Sequence, residues 1–302
     1  MRVSVIVPTH NRAKSLKRLL SSLDLLEGLE SAAGEVVVID NGSSDETRSV
    51  LAAENTKPRK FPLQIVEEGR RGKANALNRG LEVAKGDVLV FVDDDVVADR
   101  ALISAHIECH RTTSFDAVQG RVLPGVDDEG RSSDPTRLLQ YNIPFVDYGD
   151  ATCEGHTLVG ANMSLKRKVV ERVGFFDTRL GPGAAGFGED TEYSMRVRKA
   201  GFTIGYAPRA IAYHELDPAR YGRAHYRRAA YRKGISRSLY RTDSIVATIL
   251  PNLIVDCTRY GVYRLSGNAE KACEAEGRVI KWWGCLGGKM GQRRLISSRG
   301  TT

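Results

Sequence analysis

The chain has 302 residues, 41% of them hydrophobic and 27% charged, which excludes a disordered or collagen-like polymer and leaves room for one full core plus an extension. Five widely spaced cysteines (Cys109, Cys153, Cys257, Cys273, Cys285) form no C-x-x-C pair, so neither a disulfide framework nor a zinc ribbon is expected; with no cleavable leader in view, a cytoplasmic setting fits. The net charge of +8 is split unevenly, since residues 215–302 hold 17 Lys and Arg against 7 Asp and Glu whereas residues 1–214 hold 28 against 30. That break predicts two parts, a domain over 1–216 and a basic, mainly helical extension over 217–302.

The first part alternates short apolar strands with amphipathic helices. Val3 to Val7 is a β-branched run, and Asn11 is placed to cap a helix carrying Leu16, Leu19, Leu20 and Leu23 on one face. Strand Glu35 to Asp40 ends in the turn-formers Asn41-Gly42-Ser43-Ser44-Asp45, and a second helix follows. Strand Leu63 to Val66, a helix from Lys73 to Ala84 and strand Asp87 to Val92 continue the pattern. Strands separated by helices imply parallel crossovers, hence a twisted, mostly parallel α/β sheet flanked by helices, with ligands outside the carboxyl ends of its strands.

Asp93-Asp94-Asp95 follow the apolar strand Val88 to Val92 directly. Three adjacent carboxylates repel one another and need a cation or hydrogen-bond donors. In extended backbone Asp93 and Asp95 face one way and Asp94 the other. Such hard oxygen donors suit Mg2+ or Mn2+, which can share their remaining positions with a diphosphate. Arg70-Arg71-Gly72-Lys73 is a basic loop before a helix N-terminus, fit to hold a diphosphate or a base through Arg70 and Lys73, while a solvated charge run explains Arg71 equally well. His106 and His110 do not make an H-E-x-x-H zinc pattern and read as ordinary helix residues.

Val5-Ile6-Val7-Pro8-Thr9-His10-Asn11-Arg12, then Val38-Ile39-Asp40-Asn41-Gly42-Ser43-Ser44-Asp45-Glu46-Thr47, then the aspartate triplet, and finally Gly188-Glu189-Asp190 resemble the ordered motifs of family 2 glycosyltransferases over roughly residues 1–215. The resemblance implies a GT-A fold with a Rossmann-like nucleotide-binding half, and inverting transfer from a nucleotide-diphospho-sugar donor to an acceptor hydroxyl with a bound divalent metal. It implies that Pro8, Thr9 and Arg12 lie near the nucleotide, that Asp40 contacts the base and that Asp94 approaches the ribose or donor sugar. Asp93 and Asp95 would serve the metal and diphosphate. Asp190 is the base implied by the family's E-D pair, with Glu189 positioning the acceptor; by residue type alone both would only favour a helix start. His214 stands where related enzymes place a third metal ligand, and imidazole suits Mn2+ better than Mg2+. Gly155 to Leu165 is similar to the segment beside the donor sugar, where Gly160 and Ala161 leave room for a pyranose or diphosphate.

From Ala219 to Arg241 the tail interleaves tyrosines with arginines, which fits either attachment of residues 219–265 to an anionic membrane surface or a helix packed on the catalytic domain. Ser244 to Leu265 is more apolar, and Pro251 is expected to break any helix through it. No stretch reaches the roughly eighteen apolar residues of a membrane span, so the chain is expected to be soluble, or peripheral on the inner face of the cell membrane. The Q/R-x-x-R-W motif of processive members is missing; its nearest approach is Arg278 to Trp282 with Lys281 in place of Arg, which favours one transfer per encounter. A glycan or lipid-linked acceptor is expected, in glycan, glycolipid or cell-surface polysaccharide synthesis, and the tail alternatively completes the acceptor site or builds a homo-oligomer interface.

Two rival classes fit less well. A sugar-phosphate nucleotidyltransferase would carry a glycine-rich loop after its first strand, and Pro8-Thr9-His10-Asn11-Arg12 has no glycine. A non-enzymatic basic binder of nucleic acid or membrane would have lost the acidic constellation, which is intact, so no nucleic-acid partner is expected.

Overall fold

A computed structural model describes residues 1–29, 32, 34–125, 144–217, 220 and 222–299; the predicted tail residues Ala219 and Tyr221 lie outside the described residues. The chain forms two units. The first holds the described residues of Met1–Pro135, Pro144–Thr178 and Glu189–Leu216, and the second those of Arg179–Gly188 and Asp217–Thr302.

The first unit runs β1 (Val3–Thr9), α1 (Ala13–Leu23), β2 (Glu35–Asp40), α2 (Thr47–Asn55), β3 (Leu63–Glu67), α3 (Lys73–Val83), β4 (Val88–Val92), β5 (Val96–Ala98), α4 (Leu102–Thr112), β6 (Ala117–Pro124), β7 (Cys153–Glu154), β8 (Asn162–Lys166), α5 (Arg167–Val173), α6 (Glu189–Lys199) and β9 (Ile204–His214). Helices cover both sheet faces, so β1, β2 and β4 are buried at every position and can afford no polar alternation. Val3, Val5 and Val7 pack with Leu16, Leu19, Leu20 and Leu23 of α1, while Ile6, pointing the other way, packs with Leu77 and Leu81 of α3. Each such fully buried side chain contributes roughly 1.5–3 kcal/mol.

The sheet order is β3-β2-β1-β4-β8-β6-β9-β5, with β7 beside β9. The β3-β2-β1-β4 half is parallel throughout, as its helical crossovers require. Beyond β4 the sheet is mixed: β4 and β6 pair antiparallel to β8, β6 runs parallel to β9, and β5 and β7 run antiparallel to β9. The parallel crossovers read from the sequence therefore describe the β3-β2-β1-β4 half and not the rest.

His106 and His110 are not ordinary helix residues. Both are buried, and their ring nitrogens meet one hydroxyl, Ser164 Oγ of β8, at 2.9 and 2.8 Å. His106 Nε2 lies 2.9 Å from Asn162 Oδ1, and the Asn162 amide donates to the carbonyls of Arg121 and Ala210. Gln119 extends the network by donating to Asn162 O and accepting from Val159 N. A polar seam thus ties α4, β6, β8 and β9 together inside the core.

In the second unit, α7 (Arg223–Tyr240), a π-helical turn (Ile245–Ile249), α8 (Leu250–Leu265) and α9 (Ala269–Arg299) pack as a helical group. Pro251 does not break the helix. It stands in the first turn of α8, directly after the π turn, where a missing N–H costs little. At Gly234 of α7 an added Cβ would meet Lys281 O of α9 at 2.0 Å, so glycine is what allows these two backbones to close. Three of the five arginines of α7 are committed within the unit: Arg223 and Arg227 pair with Glu276, and Arg237 with Asp243. Buried Asp256 of α8 binds Arg278 at 2.9 Å and the Trp282 indole at 3.1 Å, which gives those two residues a structural role.

Candidate active site

The carboxyl ends of β1, β2 and β4 form one edge, with Thr9 paired in register with Asp40. Two loops leave this edge and clamp each other. Asn11 does not cap α1: it sits at φ 54°, and its Oδ1 accepts from Ser44 N at 2.7 Å and Asp45 N at 3.3 Å. The first turn of α1 is instead held from the other loop, Arg12 N donating to Thr47 Oγ1 at 3.0 Å and Ala13 N to Asp45 Oδ2 at 3.4 Å. The small polar residues of both motifs are thereby explained by loop geometry, while pairing of β1 with β2 sets Pro8 opposite Ile39 and Thr9 opposite Asp40.

Asp40 is buried; its Oδ1 accepts from Ser43 N at 2.9 Å, and its Oδ2 accepts from Arg48 Nε at 3.2 Å. Asn41, which sequence reasoning passed over as a turn-former, is a strut: its amide donates to Glu68 O and Arg70 O, and its Oδ1 accepts from Gly72 N at 2.8 Å. It sets the path of the basic loop. Arg70 itself is held by Glu68, at 3.0 and 2.7 Å, with its side chain mostly exposed.

Lys73, at the start of α3, is where the elements meet. Its Nζ lies 2.5 Å from Asp93 Oδ1 and 3.7 Å from Glu189 Oε1, so one ammonium bridges the end of β4 and the start of α6. Burial alone would lower its pKa, but Asp93 and then Glu189 outweigh burial and raise it. Burial, then the neighbouring Asp190 carboxylate, push Glu189 up. Gly160 completes the cluster: a Cβ there would lie 3.2 Å from Lys73 Nζ and 4.0 Å from Asp93 Oδ1, and its N–H donates to Asp190 Oδ2 at 3.3 Å. Asp190 Oδ1 accepts from Thr191 N at 2.6 Å, which fixes the carboxylate at the helix start. Ala161 is fully buried against the strand core.

The aspartate triplet is a turn between β4 and β5 and not a strand, so the alternation expected of it does not hold. Asp93 turns to Lys73. Asp95 turns to His214, with Oδ1 3.3 Å from Nε2, and to Arg12 at 3.8 Å. Burial, then Asp95, push Asp94 well above the ordinary carboxylate range. Among the described residues no set of three His, Cys, Asp or Glu side chains closes on one point. The donors present nonetheless fit a cation. His214 Nδ1 lies 2.8 Å from Glu215 O, a contact that needs the ring proton on Nδ1, and Nε2 then presents a lone pair to an acceptor-only carboxylate. A second proton or a metal ion between them resolves that opposition, and oxygen with imidazole is a donor pair suited to Mn2+.

Parallel strands that feed an acidic turn, continued by a mixed half-sheet, are the architecture of GT-A glycosyltransferases. The chain belongs to glycosyl transferase family 2, whose model matches residues 4–174; the model for glycosyl transferase family group 2 matches residues 90–271. The uncharacterized glycosyltransferase YfnE of Bacillus subtilis is 28% identical over 267 residues, covering 72% of this chain and 66% of that protein. The glycosyltransferase AglE of Haloferax volcanii is 25% identical over 219 residues, covering 72% of this chain and 67% of that one. The chain thus spans about two thirds of the length of these relatives. A mannosyltransferase of Pyrobaculum calidifontis, solved in complex with GDP-Man and Mn2+, shares the fold at TM-score 0.60 and 20% identity, over 99% of this chain and 75% of that one.

Proposed function

We propose that this chain transfers a single glycosyl group from a nucleotide-diphosphate donor to an acceptor hydroxyl with inversion at the anomeric carbon. The observation that carries the reading is the convergence of Asp93, Lys73, Gly160 and Asp190 from four separate segments on one edge of the sheet. Pro8, Thr9, Arg12 and Asp40 line the end where the nucleotide belongs, and Asp94 the place of the ribose or sugar. The acceptor's oxygen forms the new bond to the anomeric carbon as the bond from that carbon to the diphosphate breaks. Asp190 accepts the hydroxyl proton, its carboxylate held for the purpose by Gly160 N and Thr191 N. Lys73 pairs with both Asp93 and Glu189 and so ties the end of β4 to the start of α6.

Asp95 and His214 would hold a divalent metal, with Asp93 facing the diphosphate beside it; the solved relative with GDP-Man and Mn2+ supports a nucleotide-sugar donor and Mn2+. Bound there, the ion would neutralise charge on the leaving diphosphate. The acceptor in this reading is a glycan or lipid-linked hydroxyl. Asp190→Asn tests the reading: turnover is expected to fall roughly a hundredfold or more while donor affinity by calorimetry is retained. Near-normal turnover in that variant would remove Asp190 from the mechanism and make Glu189 the base to test.

A further inference from the structure

Within the second unit, the helical segment Ile245–Leu265 is two-sided. One side packs Ile249 and Leu253 against Trp282 and Cys285 of α9, and Asp256 of the same side is tied to Arg278 and to the Trp282 indole. The other side leaves Val246 75%, Leu250 38%, Ile254 65%, Val255 46%, Val262 56% and Leu265 92% exposed. At 100° per residue, the exposed apolar side chains of α8 fall within about 140° of arc, and the rest of that arc is Pro251, Thr258 and Gly261. Arg264 and Arg259 stand about 40° beyond its two edges. An uncharged face bounded on both sides by arginine is the pattern of a helix lying in a membrane interface, apolar side chains among the acyl chains and guanidinium groups among the headgroups.

We propose that α8 is an interfacial anchor, which seats its Leu250–Leu265 face in an anionic lipid bilayer. Contrary to the expectation from sequence, this segment is long and apolar enough by length and composition to cross a membrane. It lies on the surface all the same, because crossing would strip Asp256 from Arg278 and Trp282 and put a carboxylate in hydrocarbon. Charge selects lipid over a second copy of the chain. Residues 215–302 carry 17 basic against 7 acidic side chains, so two copies joined by this face would set arginine rim against arginine rim, whereas anionic headgroups complement it. The face also shifts the lipid contact from α7 to α8, since Arg223, Arg227 and Arg237 of α7 are paired with Glu276 and Asp243.

The test is flotation of the full chain with vesicles of phosphatidylcholine alone or with phosphatidylglycerol added, without donor or acceptor, so that it stands apart from transfer activity. Binding is expected with the mixed vesicles at low salt and at least tenfold weaker with phosphatidylcholine alone. Ile254→Glu, with Val262→Glu as an independent second variant, is expected to lower partitioning at least tenfold with an unchanged circular dichroism spectrum, and Arg264→Ser to reduce the preference for anionic vesicles. Equal partitioning of wild type and both folded glutamate variants would overturn the proposal. So would an absence of binding to mixed vesicles accompanied by a dimer that Ile254→Glu dissociates, which would assign the face to a second copy.

Discussion

The histidine seam of the core has a measurable consequence in acid. Burial lowers His106 to about 4; burial and then the neighbouring His106 lower His110 to about 3. In the unfolded chain both titrate near 6.5. Between those values the unfolded state binds more protons than the folded state, so the stability these residues contribute is full above about pH 6.5 and is lost as pH falls toward their folded values. From pH 7.5 to 5.0 each neutral buried histidine accounts for a loss of about 2 kcal/mol, about 4 kcal/mol for the pair. Asp94 and Glu189, raised by burial, act in the opposite direction over the same range, so the wild-type curve alone does not isolate the seam. A difference does. Urea unfolding of wild type and His110→Gln at both pH values holds the carboxylates in common, and the variant is expected to lose about 2 kcal/mol less than wild type over this interval. If the two proteins lose stability equally, with equal urea slopes, His110 is not a buried neutral histidine and the reasoning fails.

Two further outcomes are expected at the site. Gly160→Ala places a methyl group 3.2 Å from Lys73 Nζ and should lower kcat/KM roughly 10- to 100-fold, with a melting temperature close to that of wild type, as read by steady-state kinetics and calorimetry. His214→Ala should raise the Mn2+ concentration for half-maximal activation at least ~10-fold, and an activation curve superimposable on wild type would leave His214 a structural residue.

The parallel half of the fold was legible because its signals are local: β-branched runs, leucines at helical spacing, turn-formers at strand ends. The antiparallel half was not, because β8 and β9 join the sheet through pairings with β4 and β6 that no periodicity announces. The same divide runs through the site. Asp40 and Asp93 stand out by their positions at strand ends and Asp190 only through the family resemblance, whereas Asn11 reads as a cap although its partners are Ser44 and Asp45, more than thirty residues on. His106 and His110 gave no signal because Ser164 and Asn162, which make them a network, lie on another strand. Pro251 reads as a breaker because residue type does not reveal that it falls in a first helical turn.

Lys73 shows why residue type alone understates a role. Read in its basic loop, it is one of several cations able to meet a phosphate; in place, it is held between Asp93 and Glu189, with Asp190 close behind them. Arg12 faces Asp95. Asp93 to Asp95, Glu189 and Asp190 thus crowd five carboxylates beside Lys73 and Arg12, and burial first, then repulsion between neighbouring carboxylates, raises Asp94 and Glu189. A diphosphate brings more negative charge to the same place. Its binding is unfavourable unless positive charge arrives with it, and on the proposed reading a divalent ion at Asp95 and His214 would supply that charge. Donor and divalent ion are thus expected to bind as linked ligands, each raising the affinity of the other by the same factor.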